Sequence, residues 1–165
     1  MDGGLATTAK RFEATNEPTP TASGIPLRNA DFATLTEALD YAATGRPGAN
    51  LYDGRGELAT AMPYSELGDR ARGLASRLAR FARGSRIALV AHTHPDFTVM
   101  FWACQYAALV PVPLPAAMPL GGRSPVIRHL RQMLADCDAV AAFAPPEFGE
   151  LLRAAAGPPP LATAG

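Results

Sequence analysis

The residues most able to do chemistry are gathered at His92 to Asp96, in the order HTHPD. His92, His94 and Asp96 are metal-ligand types, and they follow directly on an apolar run, where a parallel strand would deliver them to the binding edge of an open sheet. The spacing matches no recognised metal or catalytic signature, so helix capping and loop lining are the favoured reading. A second candidate is Gly121 and Gly122 before Arg123, which could offer backbone N–H groups and a guanidinium to a phosphate; neither GxGxxG nor GxxxxGK[ST] is present. Cys104 falls in helical register with Phe101 and Ala108 and reads as a small core residue rather than a nucleophile. Cys137, His129, Asp136 and Asp138 lack arranged partners. No residue is therefore assigned a catalytic, cofactor-binding or metal-binding role from the sequence.

The elements that must position these groups centre on residues 86 to 114, RIALVAHTHPDFTVMFWACQYAALVPVPL. Ile87 to Ala91 and Val110 to Leu114 are apolar runs without alternation, as expected of parallel strands covered on both faces. Between them, Thr93 or His94 can cap a helix, Pro95 suits its first position, and Asp96 complements its positive end. Strand, helix and parallel strand make a crossover unit. Downstream, 124 to 135 predicts a helix, Ala139 to Ala144 a third buried strand, and Glu147 to Ala156 a last helix with Phe148, Leu151 and Leu152 inward; Gly157 and the prolines at 158 to 160 stop it.

Upstream, Thr34 and Glu37 have capping-box spacing, with Leu35, Leu39 and Ala42 or Ala43 on one face and Gly45 at the stop. Asn50 to Tyr52 and Leu58 to Met62 flank the DGRG turn of a hairpin. Glu66 to Phe81 is an amphipathic helix ended by Gly84, with Leu67, Ala71, Leu74, Leu78 and Phe81 as its apolar stripe. Its arginines form a solvated face, since Glu66 and Asp69 share the first turn and no aromatics interleave with the charges. Residues 1 to 30 are read as a mobile tail and 157 to 165 as a Pro/Ala-rich end. The predicted fold class is α/β: a three-layer parallel sheet with crossover helices, preceded by a small hairpin.

Composition narrows the partners. The chain has 165 residues, 48% hydrophobic, enough for a real core, and a formal net charge of zero. Neither nucleic acid nor anionic lipid is attracted by such a balance, no apolar run reaches membrane-span length, and two distant cysteines suit a reduced cytoplasmic setting.

Residues 33 to 156 resemble the N-terminal portion of an adenylate-forming enzyme, most closely the fatty acyl-AMP ligase branch. The likeness lies in ordered blocks: TLTEALDYAA at 34 to 43, LYDGRGELATAMPYSEL at 51 to 67, SRIALVAHTHPDFTVMFWACQYAALVPVPLP at 85 to 115, GGR at 121 to 123 and HLRQMLADCDAVAAF at 129 to 143. VPVPLP and GGR favour this branch over acyl-CoA synthetases. The resemblance implies an enzyme that uses ATP and magnesium to convert a fatty acid into an acyl-adenylate, for transfer to a carrier protein's phosphopantetheine thiol. The family's phosphate loop, adenine-contacting segment, ribose-binding Asp and C-terminal lysine follow the matched region, and Lys10 is the only lysine here. The expectation is a fragment of the N-terminal subdomain, inactive alone, whose partners are the remainder of the ligase or another copy meeting its open sheet. Rival readings are a freestanding nucleotide- or acyl-binding module and a non-enzymatic interaction subunit. Two local departures stand out: Ala108 where the family usually has glycine after the central helix, and Pro63 where Ser or Thr would cap the helix beginning near Tyr64.

Overall fold

The computed structural model describes residues 24–29, 31–115 and 122–157, together with the backbone of 162–164. Helices α1 (Leu35–Ala42), α2 (Tyr64–Leu78), α3 (Pro95–Tyr106), α4 (Arg123–Asp136) and α5 (Gly149–Ala156) alternate with strands β1 (Gly48–Tyr52), β2 (Leu58–Pro63), β3 (Arg86–Ala91), β4 (Val110–Pro115), β5 (Ala139–Phe143) and β6 (Ala162–Ala164). β1 and β2 form an antiparallel hairpin; the other strands make a parallel sheet in the order β4-β3-β5-β6.

β3 is covered on both faces, as its unbroken apolar run demands. Ile87 and Leu89 point to one side, where they meet Leu78 of α2 and Ala103 and Cys104 of α3. Ala88 and Val90 point to the other, against Leu130 and Leu134 of α4 and Leu152 and Ala155 of α5. Each such burial contributes about 1.5–3 kcal/mol for a large aliphatic side chain. β4 and β5 lie on opposite sides of β3, so the chain reverses direction across the sheet between them, and α3 and α4 accordingly cover opposite faces.

α3 has its expected start. His94 is extended, and its Nδ1 accepts from the Asp96 N–H at 3.2 Å, with Pro95 at the first helical position. Its end closes in a Schellman arrangement: Leu109 N–H donates to the Cys104 carbonyl at 2.8 Å and Ala108 N–H to the Gln105 carbonyl at 3.1 Å. Ala108 carries φ +53°, the left-handed conformation that glycine adopts without a Cβ penalty. The Thr34 cap is also present, its oxygen accepting from the Glu37 N–H at 3.2 Å, while Glu37 reaches back to the Ala33 N–H at 3.0 Å rather than to that of Thr34. In the hairpin, Asp53 Oδ1 accepts from the N–H groups of Arg55 and Glu57 at 2.8 and 2.9 Å, and Gly56 takes φ +82°.

Several expectations need correction. β4 is an edge strand rather than one covered on both faces: Val110 is 45% exposed, and Pro113 is exposed too. Leu35 points outward, leaving Leu39 to anchor α1 against Met62, Leu67 and Val99. α2 runs from Tyr64 to Leu78, starting two residues earlier and ending three residues earlier than its periodicity suggested; Gly84, at φ +78°, belongs to the turn into β3. The uncapped start expected at Pro63 is present: it stands at the N-cap of α2 without a side-chain hydrogen bond. The last helix is preceded by a 3-10 turn at Pro146–Phe148, closed by the Phe148 N–H donating to the Pro145 carbonyl at 2.9 Å. The C-terminal stretch contributes a fourth strand, β6, beside β5; three small residues gave no apolar signal for it. Of the expected tail, residues 1–23 and 30 lie outside the described residues, whereas the Pro26 carbonyl accepts from Tyr41 Oη at 2.9 Å and Arg28 pairs with Asp31 at 2.9 Å.

Candidate functional site

The carboxyl ends of β3 and β5 meet where the strand order reverses, the place at which open parallel sheets bind ligands. Residues from α2, α3 and the end of β5 leave a cleft of about 330 Å³ there, lined by Arg70, Leu74, Arg77, Phe97, Met100 and Phe143 among others. Its wall is mainly apolar with guanidinium groups at the rim. Arg70 spans the helices: Nη2 lies 3.1 Å from Asp96 Oδ1 and Nη1 3.5 Å from Glu66 Oε1.

HTHPD is split by this geometry. His94 spends Nδ1 on the α3 cap and has Asp96 Oδ2 at 3.5 Å. His92 instead faces the segment after β5, with Nδ1 3.4 Å from Glu147 Oε1 and its ring 5.4 Å from that of Phe148. Among the described residues no trio of His, Cys, Asp or Glu is arranged to hold a metal ion; the hydrogen bond from the Asp96 N–H makes His94 the cap of α3.

The second candidate is likewise engaged. Arg123 Nη2 sits 2.7 Å from Glu150 Oε2, and this bond lowers the Glu150 carboxyl below its ordinary range. A guanidinium already paired with a carboxylate offers less to an incoming phosphate. Gly122 has φ +99°, and Gly121 lies outside the described residues.

Cys104 is fully buried, and loss of hydration pushes its thiol up to about 12. That suits a core residue and opposes nucleophilic use at neutral pH. Cys137 ends α4 with Sγ 3.5 Å from the Leu134 carbonyl, and Asp138, at φ +49°, turns the chain into β5 with Arg86 at 3.6 Å. Asp136 accepts from Gln132 at 2.7 Å, and His129 is exposed on α4.

Sequence reasoning missed one cluster, made by three helices. Arg72 Nη1 donates to Asp40 Oδ1 of α1 at 2.7 Å and to Tyr106 Oη of α3 at 3.3 Å, while Nη2 holds Asp69 at 2.8 Å. Tyr106 also donates a short hydrogen bond to Asp40. Burial, then the Asp40 carboxylate, raises the phenol to about 12. Nothing in the spacing of positions 40, 72 and 106 announces this contact. It is a clasp between elements rather than a reactive centre, since every polar group in it is consumed by another.

Fold and site thus define a parallel-sheet scaffold with a switch-point cleft and no assembled catalytic set among the described residues. Residues 39–162 match the family of AMP-binding enzymes, and the chain belongs to that family. It is 50% identical over 117 residues to a Caulobacter vibrioides (strain NA1000 / CB15N) protein named "Putative acyl-CoA synthetase", covering 70% of this chain and 20% of that protein. It also resembles a solved structure from work on fatty acyl-adenylate ligases of E. coli and L. pneumophila, with 41% identity, a TM-score of 0.78, and coverage of 84% of this chain and 25% of the other. A benzoate CoA ligase from Burkholderia xenovorans LB400 shares the fold at 24% identity and a TM-score of 0.59, over 80% of this chain and 25% of that one. The chain therefore spans about a fifth to a quarter of the relatives it matches. No helix among the described residues is long and apolar enough to cross a membrane.

Proposed function

We propose that these 165 residues are the opening scaffold segment of a fatty acyl-AMP ligase acting in the cytoplasm. The whole enzyme would join a fatty acid to ATP, with magnesium, and pass the acyl group to the phosphopantetheine thiol of a carrier protein, as lipid or polyketide synthesis requires. The observation that carries this reading is the similarity to a fatty acyl-adenylate ligase along most of the chain, in fold and in sequence together. The segment's part is mechanical: it supplies the β3-β4-β5 sheet and the helices on which other segments would rest. None of its residues is assigned to ATP, magnesium or the acyl group, and the chain by itself is expected to form no acyl-adenylate.

A second reading, acyl-CoA synthetase, is favoured by the Caulobacter relative and differs only in the accepting thiol. Both predict the same first half-reaction. The test is a graft of residues 31–156 in place of the matching quarter of a fatty acyl-adenylate ligase. A folded chimera should retain fatty-acid-dependent exchange of pyrophosphate into ATP, and should load carrier protein in preference to coenzyme A. A chimera that melts cooperatively and binds ATP, yet makes no acyl-adenylate, overturns the fatty acyl assignment. Transfer to coenzyme A instead selects the second reading. Exchange by the ungrafted chain would overturn its role as scaffold alone.

A further inference from the structure

Among the described residues β4 has a neighbour on one side only, β3, and its other edge is built from prolines. Its sequence, VPVPLP, places proline at 111, 113 and 115. The Val110 N–H donates to the Ser85 carbonyl at 2.9 Å, and Arg86 is registered opposite Val110. Successive residues of a strand direct their N–H and C=O groups to alternate sides. Val110, Val112 and Leu114 therefore direct theirs toward β3, and Pro111, Pro113 and Pro115 occupy the positions facing the open side. The prolines cost no hydrogen bond within the sheet, and they remove every main-chain donor from its outer edge.

The geometry points to an edge closed to strand addition: β4 is a permanent terminus of the sheet, protected against pairing with a strand from a second copy or any other chain. A strand laid alongside would find carbonyl acceptors only, and its own inward carbonyls would meet proline rings. Edge strands with a full set of donors are templates for association, and proline is one of the devices that blunts them. The same three residues would be out of place in an interior strand. This inference rests on register and residue type and is independent of the enzymatic reading.

The test restores the donors in the full chain. Pro111→Thr, Pro113→Thr and Pro115→Thr together should lower the concentration at which the chain self-associates by about tenfold or more, as three new edge donors become available. Sedimentation velocity across a dilution series reads the change. Pro113→Thr alone should give a smaller shift in the same direction, and it carries the test if the triple variant does not fold. Hydrogen exchange supplies a second reading: the new amides should exchange freely in the dilute monomer and become protected on association. Folded variants that associate no more than the parent overturn the inference, as do new amides already protected in the monomer, since the edge would then be covered by the chain itself.

Discussion

The parallel-sheet half of the molecule and its N-terminal half are held by different means. Around β3, Ile87, Ala88, Leu89 and Val90 are each no more than 3% exposed, and both faces are sealed by uncharged, mainly aliphatic side chains, with Cys104 on one side and Phe148 on the other. The N-terminal half rests on one small cluster, Leu39, Met62, Leu67 and Val99, to which α1 and the hairpin contribute a single fully buried residue each. Exposed ion pairs tie its helices together, Arg72 with Asp40 and Asp69 and Arg70 with Asp96 and Glu66, while those of the sheet half, such as Arg86 with Asp138 and Arg123 with Glu150, lie outside its apolar core. Where a core is thin, polar contacts fix how elements sit without adding much stability, since exposed pairs contribute about 0–1 kcal/mol. A sheet strand buried on both faces needs no such help.

The sharpest way to break this comparison is to empty the small core. Met62→Ala should cost about 2–5 kcal/mol, the usual range for a buried large-to-alanine change. Its effect should be local, with amide protection lost over residues 35–63 and retained in β3 and β5 by hydrogen exchange. Protection lost equally in both halves would show that they form one cooperative unit.

The next effect belongs to the large core and is read by pH. The buried Cys104 thiol titrates near 12, whereas an exposed one titrates near 9.0. Between those values the unfolded chain has released a proton that the native chain keeps, so stability falls by about 1.4 kcal/mol per pH unit as pH rises. Denaturant titrations from pH 8 to 11 should show this slope, and Cys104→Ala should reduce it; Tyr106, also raised, adds to the fall at the upper end. Thiol labelling at pH 8 should reach the partly exposed Cys137 well before Cys104.

Ala108→Gly should stabilise by about 1 kcal/mol, because the left-handed residue after α3 bears a Cβ where glycine has none. A denaturant midpoint that fails to rise would show that the tight closure at Leu109 offsets the backbone penalty. The smallest effect sharpens the comparison from the polar side. Arg72→Ala should lower stability by about 0.5–1 kcal/mol, less in 1 M salt, while loosening α1 measurably by hydrogen exchange. A loss several times larger would mean that the clasp, not Leu39, holds α1.

Local chemistry made much of the fold legible in the sequence. The apolar run of β3 required cover on both faces, His94-Pro95-Asp96 started α3, Thr34 and Glu37 started α1, and Asp53 to Gly56 turned the hairpin, because each depends on neighbours within a few positions. The prolines of β4 carried an edge signal as well, which its apolar character masked. What only the tertiary structure decided were relations between distant residues. Leu35 and Leu39 are equally apolar, and packing of α1 on Met62 and Val99 chose between them. His92 and His94 are two positions apart, yet strand direction and helix capping sent one to Glu147 and the other to Asp96. Asp40, Arg72 and Tyr106 met through the docking of three helices, and β6 became a strand because β5 offered it an edge. Such contacts leave no periodicity in the chain, since their partners are set by how elements pack and not by spacing along it.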